Sequence, residues 1–267
     1  MTSLIWLSIL SGYRSKSFRL FIVMAMASVL LAWLASSFSA RSPATLLLDV
    51  GMSFQRIALI LMAVFWVQEL YYKDLEKKTA VFLLAYPISR PVYLVSRFIG
   101  VLLLTSVALV LSASLLYVVA LLSHADYEQL FPSSLGLSYV ATWAYFWLGI
   151  LVIVSFAFML SSFCETPNLP VICAIGFAVA MHAMGPVLDY LSYAKGVAGV
   201  QTDWILPFVK NALYILPDLD RLDIRKWSLY GVMPSTSLLL WGIVSAFSYI
   251  VLFLVVSIVG LQRRDIV

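Results

Sequence analysis

Residues 98–122 read Phe98-Ile-Gly-Val-Leu-Leu-Leu-Thr-Ser-Val-Ala-Leu-Val-Leu-Ser-Ala-Ser-Leu-Leu-Tyr-Val-Val-Ala-Leu-Leu122, with no charged residue among them. A bilayer's hydrocarbon core, about 30 Å thick, is crossed by a helix of about 20 apolar residues. This run is long enough to be such a helix. Working outward, Leu20 to Phe38, Ser138 to Phe163 and Thr166 to Leu188 are likewise free of charge. So is Trp227 to Gln262, where Pro234 sets the start of a helix near Ser235. The weakest candidate is Val50 to Gln68, whose uncharged core begins only at Ile57. Its Arg56 is expected near a helix end, where a long side chain can snorkel. A central arginine would cost roughly 2.5–3.5 kcal/mol on insertion scales. The fold class expected is all-α, a polytopic membrane protein with six transmembrane helices near 20–38, 50–68, 98–122, 138–163, 168–188 and 235–260.

Composition agrees. Apolar residues make up 63% of the 267 and charged residues 11%, against about 45–50% and 25% in soluble domains. That excludes a soluble domain, which would lack a polar coat, and also disorder, which needs low hydrophobicity. Cys164 and Cys173 cannot make a disulfide framework. No basic run interleaved with aromatics suggests a nucleic-acid partner. There is no repeat at solenoid periods and no linker, so residues 1–267 read as one membrane domain.

Lys and Arg in short flanks set orientation. They cluster at Arg14, Lys16 and Arg19, at Lys73, Lys77, Lys78, Arg90 and Arg97, and at Arg263 and Arg264. With six spans these three flanks lie on one side, so both termini are expected in the cytoplasm. Ser37-Phe38-Ser39-Ala40 loosely resembles a signal-peptide site. However, nineteen residues precede the first run and the run has full span length, so it reads as retained. Before it, Trp6, Ile9, Leu10 and Tyr13 share a face opposite Ser8, Ser11 and Ser15. This fits an N-terminal interfacial helix or an extra turn or two on the first span.

The connection between spans two and three carries the most information: Glu69-Leu-Tyr-Tyr-Lys-Asp-Leu-Glu-Lys-Lys-Thr-Ala-Val-Phe-Leu-Leu-Ala-Tyr-Pro-Ile-Ser-Arg-Pro-Val-Tyr-Leu-Val-Ser-Arg97. Leu75, Thr79, Phe82, Leu83 and Tyr86 fall on one helical stripe. Glu69–Lys73 and Asp74–Lys78 are acid-before-base pairs four apart, the favourable order. Pro87 should end this helix. Ser89 or Arg90 should cap the next, with Pro91 in its first turn. The stretch is either a solvated hairpin or a docking helix with an apolar stripe and a charged rim.

The run Glu76-Lys-Lys-Thr79, then Leu83-Leu84, Pro87-Ile88-Ser89-Arg90 and Tyr93, resembles the signature of ABC-transporter permeases of the type-2 exporter class. Glu69 matches an acid often found where the second span of those proteins leaves the membrane. Lys78 departs from the commoner Gly. Leu160-Ser161-Ser162-Phe163 resembles the family's link between spans four and five. Leu216-Pro217-Asp218-Leu219-Asp220 with Leu222-Asp223 resembles a segment of members grouped with copper-enzyme maturation permeases. Arg263-Arg264-Asp265 resembles the family's basic tail.

The resemblance implies a prokaryotic inner-membrane permease that binds a cytoplasmic ABC ATPase and pairs with a second copy or a sister permease. ATP and Mg would sit on the ATPase, with no cofactor in this chain. The sequence has no Gly-x-x-x-x-Gly-Lys-Ser/Thr loop. ATPase coupling would fall to Glu69, Leu75, Glu76, Thr79, Phe82, Pro87 and Arg90. The alternative is a non-transporting component that transmits ATPase motion to another protein. An intramembrane enzyme ranks third, because neither His-Glu-x-x-His nor Gly-x-Ser-x-Gly occurs.

Other residues weigh less. Met181, His182 and Met184 are soft ligands but do not converge on one face of a helix, so His182 is expected to be packed. His124 lies in an acidic loop. Asp218, Asp220 and Asp223 lack calcium-loop spacing. With Arg221, Arg225 and Lys226 beside them they read as an interfacial charged cap. Trp204 to Leu216 is apolar but too short to cross, and is expected to be re-entrant or interfacial. No span shows an ionisable lining that would report a substrate's charge.

Overall fold

The structure is a computed structural model and describes residues 2–39, 42–76, 89–124, 134–166, 168–197 and 217–263. The described residues form helices and connecting turns, with no strand. Helix α1 spans Thr2–Tyr13 and α2 Lys16–Ser37. Helix α3, Pro43–Val67, continues through a π-helical turn, Gln68–Tyr72, and a last α-turn, Lys73–Glu76. Then come α4 (Arg90–His124), α5 (Leu137–Phe163), α6 (Leu169–Val197), a 3-10 turn (Asp220–Leu222), α7 (Arg225–Tyr230) and α8 (Thr236–Arg263).

Six of these helices, among the described residues, are long and apolar enough to cross a membrane. Their starts and stops follow local chemistry. Ser15 caps α2, its hydroxyl accepting from the Phe18 N–H at 3.1 Å. Pro43 and Pro91 stand in the first turns of α3 and α4, where a missing N–H costs nothing. Gly231 ends α7 at φ +70°, a left-handed conformation that only glycine adopts without strain.

Helix α5 is the hub and packs against α3, α4, α6, α7 and α8. Ile150, Val152, Val154 and Phe158 on it are fully buried. Helices α2, α6 and α8 keep long apolar faces outward, as expected where the surroundings are hydrocarbon rather than water. Arg90, Arg97, Lys73 and Arg263 gather at one end, called here the basic end. The segment 217–231 sits at the far end.

Three expectations need correction. First, the second span is longer than 50–68 and runs Pro43–Glu76. Arg56 is therefore roughly 20 Å along a helix, at 1.5 Å per residue. It is not near an end and does not snorkel. Second, α1 is not an extra turn of α2 but a separate helix, set off at Arg14-Ser15 and packed on α4. Ser8 approaches Gly100 and Gly12 approaches Leu104. That is a step of four on each helix, so α1 runs alongside the start of α4 in the same direction. Trp6, Leu10 and Tyr13 point outward as expected, while Ser8 is fully buried. Third, the Asp218–Asp223 segment is more than a surface cap, because Leu219, Leu222 and Ile224 are buried in the bundle. Trp204 to Leu216 lies outside the described residues.

Candidate functional site at the two ends of the bundle

At the basic end, α3 leaves the bundle through its π-turn. The Lys73 N–H bonds the Gln68 carbonyl, five residues back. The wider turn admits one more residue and lets Leu70, Tyr71 and Tyr72 all be buried in succession. Tyr71 Oη and Ser162 Oγ share a hydrogen bond of 2.8 Å, as do Ser162 Oγ and Ser257 Oγ. Tyr72 Oη donates to the Glu165 carbonyl at 2.6 Å. One hydroxyl chain thus joins α3, α5 and α8.

Two residues later, Asp74 receives both Arg97 and Tyr93 from α4. Arg97 Nη2 pairs with Asp74 Oδ2, and Tyr93 Oη donates to the same oxygen at 3.2 Å. Arg97 Nη1 donates to Ser8 Oγ at 2.7 Å, so one guanidinium holds α1, α3 and α4 together. Its side chain is only 5% exposed. An arginine cannot shed its proton, so this position needs a permanent anion, which Asp74 supplies.

The expected coupling residues divide into two groups. Glu69 Oε1 lies 3.8 Å from Lys73 Nζ, the predicted i,i+4 pair. Glu69 Oε2 is buried without a hydrogen-bond partner among the described residues. Leu75, expected on the docking stripe, is 6% exposed and belongs to the core. Glu76 is exposed. Arg90 Nη1 donates to the Leu261 and Gln262 carbonyls at 3.1 and 3.0 Å. That satisfies two carbonyls the end of α8 would otherwise leave open. Thr79, Phe82, Pro87 and the Lys78 partner of the expected Asp74 pair lie outside the described residues.

The far end is built differently. Arg56 Nη1 bonds Asp223 Oδ2 at 2.7 Å. Arg225 Nε reaches both Asp223 oxygens, at 2.8 and 3.0 Å. Arg225 Nη1 then turns to Asp49 Oδ1 at 3.2 Å and Ser53 Oγ at 2.5 Å. The four charges alternate: Arg56, Asp223, Arg225, Asp49. Two belong to α3 and two to the segment 217–231. Burial by itself would push the Asp223 carboxyl up. The hydrogen bonds from Arg225 and the charges of Arg56 and Arg225 outweigh it and hold the pKa below the usual carboxylate range. Arg221 pairs with Asp218 at 2.9 Å on the same segment.

Around Arg56 the wall is mixed. Its guanidinium lies 5.1 Å from the centre of the Phe146 ring. A residual cavity of about 10 Å³ is lined by Arg56, Tyr145, Phe146, His182, Leu219 and Leu222, among others. His182 Nδ1 sits 2.8 Å from the Ala178 carbonyl, so that nitrogen carries the proton. Among the described residues no three His, Cys, Asp or Glu side chains gather as metal ligands.

A larger apolar groove of about 740 Å³ lies between α4 and α5, lined by Leu109, Val110, Tyr117, Tyr139, Trp143 and Trp147 among others. Tyr139 Oη donates to the Ala113 carbonyl at 2.6 Å, and Trp147 Nε1 to Ser106 Oγ at 3.0 Å. These polar atoms are spent within the protein.

Sequence reasoning missed three features: the π-turn, the Asp74–Arg97–Ser8 junction and the Arg56–Asp223 bridge. The paired tyrosines at an apolar-to-charged boundary hinted at the first. An arginine within an otherwise apolar helix hinted at the third, because such residues are rare and seek a partner. Residues 57–266 match the model of a family described as ABC-2 family transporter proteins. No curated protein matches the chain.

Proposed function

The chain belongs to the ABC-2 family of transporter proteins, and on that premise we propose that it is the permease subunit of an ATP-driven exporter. The basic end faces the cytoplasm of a prokaryotic cell, with both termini there. A separate ABC ATPase docks on the connection between α3 and α4 and supplies ATP and Mg. A second permease copy or a sister subunit completes the membrane unit.

The observation that carries this reading is the Asp74–Arg97 junction. It locks the exit of α3 to the entry of α4 on either side of the connection 77–88, with Tyr93 as a second bond. A push on that connection cannot be absorbed by one helix sliding past the other. It passes to α1 through Ser8, to α5 and α8 through the Tyr71–Ser162–Ser257 chain, and to the end of α8 through Arg90. Leu75 seats the exiting helix. Exposed Glu76 belongs to the charged rim that meets the ATPase; Thr79 and Phe82 supply the apolar stripe further along the connection, and Pro87 sets the angle to the next helix.

The test co-expresses the chain with its neighbouring ATPase. Glu76→Lys reverses a rim charge without altering a span, so insertion and yield should be normal. ATPase co-purification should fall, because like charges facing each other at an interface disfavour the complex. Phe82→Ala should weaken association further, by about 2 kcal/mol if the ring is a buried anchor. Wild-type association in both variants would show that the connection is only a solvated hairpin.

A further inference from the structure

Arg56 stands on α3, deep in the bundle, with a side chain 17% exposed. Among the described residues its one bonded carboxylate is Asp223, which no span supplies. Asp223 already has a partner on its own segment: Arg225, two residues away, embraces both of its oxygens. If the segment lifts, Asp223 and Arg225 leave together, and Arg225 gives up Ser53 and Asp49, whose carboxylate is 46% exposed and open to solvent. Arg56 stays behind, charged at every pH a cell meets and facing a wall of Phe146, Tyr145 and His182 that holds no carboxylate among the described residues, where an unpaired ion is costly.

The segment rests on this site in a way that allows separation. Leu222 packs over Gly149 and Gly242, and Asp220 fills the space beside Gly185. Three glycines on α5, α6 and α8 thus line the seat that receives Leu222 and Asp220. Beneath it lie the Arg56 guanidinium, the Phe146 ring, Tyr145 and the His182 imidazole. Lifting the segment uncovers one fixed cation, two aromatic rings and an imidazole, bordered by apolar side chains.

We propose that Arg56 is the anion-binding residue of a site at the far end which Asp223 occupies from within. Its ligand is an amphiphilic anion, a carboxylate or phosphate carried on an apolar body. The anion takes the place of the Asp223 carboxylate on the guanidinium, and the apolar body lies against Phe146 and the surface vacated by Leu219 and Leu222. A bare phosphate meets the same cation but gains nothing from the wall. The binding itself needs no ATPase, so its failure leaves the coupling reading above untouched, and the reverse holds as well.

The test counts bound ligand by native mass spectrometry on the full chain in neutral detergent. The probes are lysophosphatidic acid, lysophosphatidylcholine with the same acyl chain, and inorganic phosphate. Asp223→Asn removes the internal competitor and should tighten lysophosphatidic acid binding at least tenfold over wild type, with no gain for the other two probes. Adding Arg56→Gln to that variant should erase the gain. The exchange Arg56→Asp with Asp223→Arg restores the bridge but moves the cation off α3, and should fold without binding.

On an otherwise wild-type chain, Ser228→Cys places a thiol at a position fully buried in the closed form. Lysophosphatidic acid should speed its alkylation several-fold. The proposal is overturned if Asp223→Asn brings no gain, if the gain survives loss of Arg56, or if the exchange variant binds as Asp223→Asn does. An equal gain for inorganic phosphate would refute the amphiphile. Should Asp223→Asn fail to fold, an unchanged Ser228→Cys alkylation rate overturns the proposal by itself.

Discussion

The two polar ends use the same chemistry for opposite purposes. At the basic end, Arg97 ties α4 to α3 and α1, and the hydroxyl chain ties α3 to α5 and α8. Apart from Ser8 on the 12-residue α1 and the Glu165 carbonyl, the partners there sit on long helices. At the far end the charges run between α3 and a short connecting segment that carries half of them. A polar link between two long helices cannot break without moving a whole span. A link to a six-residue helix and a 3-10 turn can break by displacing that short segment alone, with every long helix left in place. The first end is therefore suited to transmitting displacement and the second to opening.

The sharpest way to break this comparison is Arg97→Met. It takes the buried guanidinium away from Asp74 and Ser8 and leaves the Tyr93 hydroxyl on Asp74. Removing one partner of a buried pair costs about 3–5 kcal/mol; Asp74 is 23% exposed, so the low end applies. Thermal unfolding in neutral detergent should show a large drop or no folded protein. An unchanged midpoint would mean the basic end is not a rigid junction. Gly100→Leu comes next. A Cβ there would stand 2.5 Å from the Ser8 Cβ, and overpacking of this kind costs about 1–3 kcal/mol. Helix α1 should detach while the spans persist, so trypsin should cut after Arg14 much faster than in wild type.

A smaller effect is expected from acid. The folded pKa of Asp223 is depressed, so its stabilising contribution is complete above the ordinary carboxylate value of about 3.9. It is lost only as pH falls through the lower folded value. A spin label at Tyr230→Cys should keep one line shape from pH 7 to about 4 and sharpen below that. Sharpening between pH 7 and 5 would contradict the assignment. Tyr71→Phe should matter least, at about 1 kcal/mol. Ser162 keeps its bond to Ser257, and Ser257 keeps its 3.1 Å bond to the Phe158 carbonyl.

Two parts of the candidate site were readable from residues alone. Glu69 facing Lys73 follows from helical spacing, and the start of α4 at Arg90-Pro91 follows from proline chemistry. Leu75 shows where such reading stops. Its stripe was visible, but a stripe does not say whether the chain's own core or a partner covers it. The bundle covers Leu75. Arg56 shows the same limit for charge. Hydropathy treats an arginine as a penalty to be placed near an end, and cannot see a carboxylate that lies 167 positions later in sequence.

The sequence by itself determined the number of spans and the clustering of basic residues in three flanks. Each is set by properties local to the chain: apolar run length against bilayer thickness, and charge beside each run. Only the tertiary structure decided which polar residues meet. Arg97 with Asp74 and Ser8, and Arg56 with Asp223 and Arg225, depend on how helices distant in sequence align. That alignment is set by small residues such as Gly100 and Gly185, which let backbones approach. A glycine in an apolar run carries no mark of what it will touch.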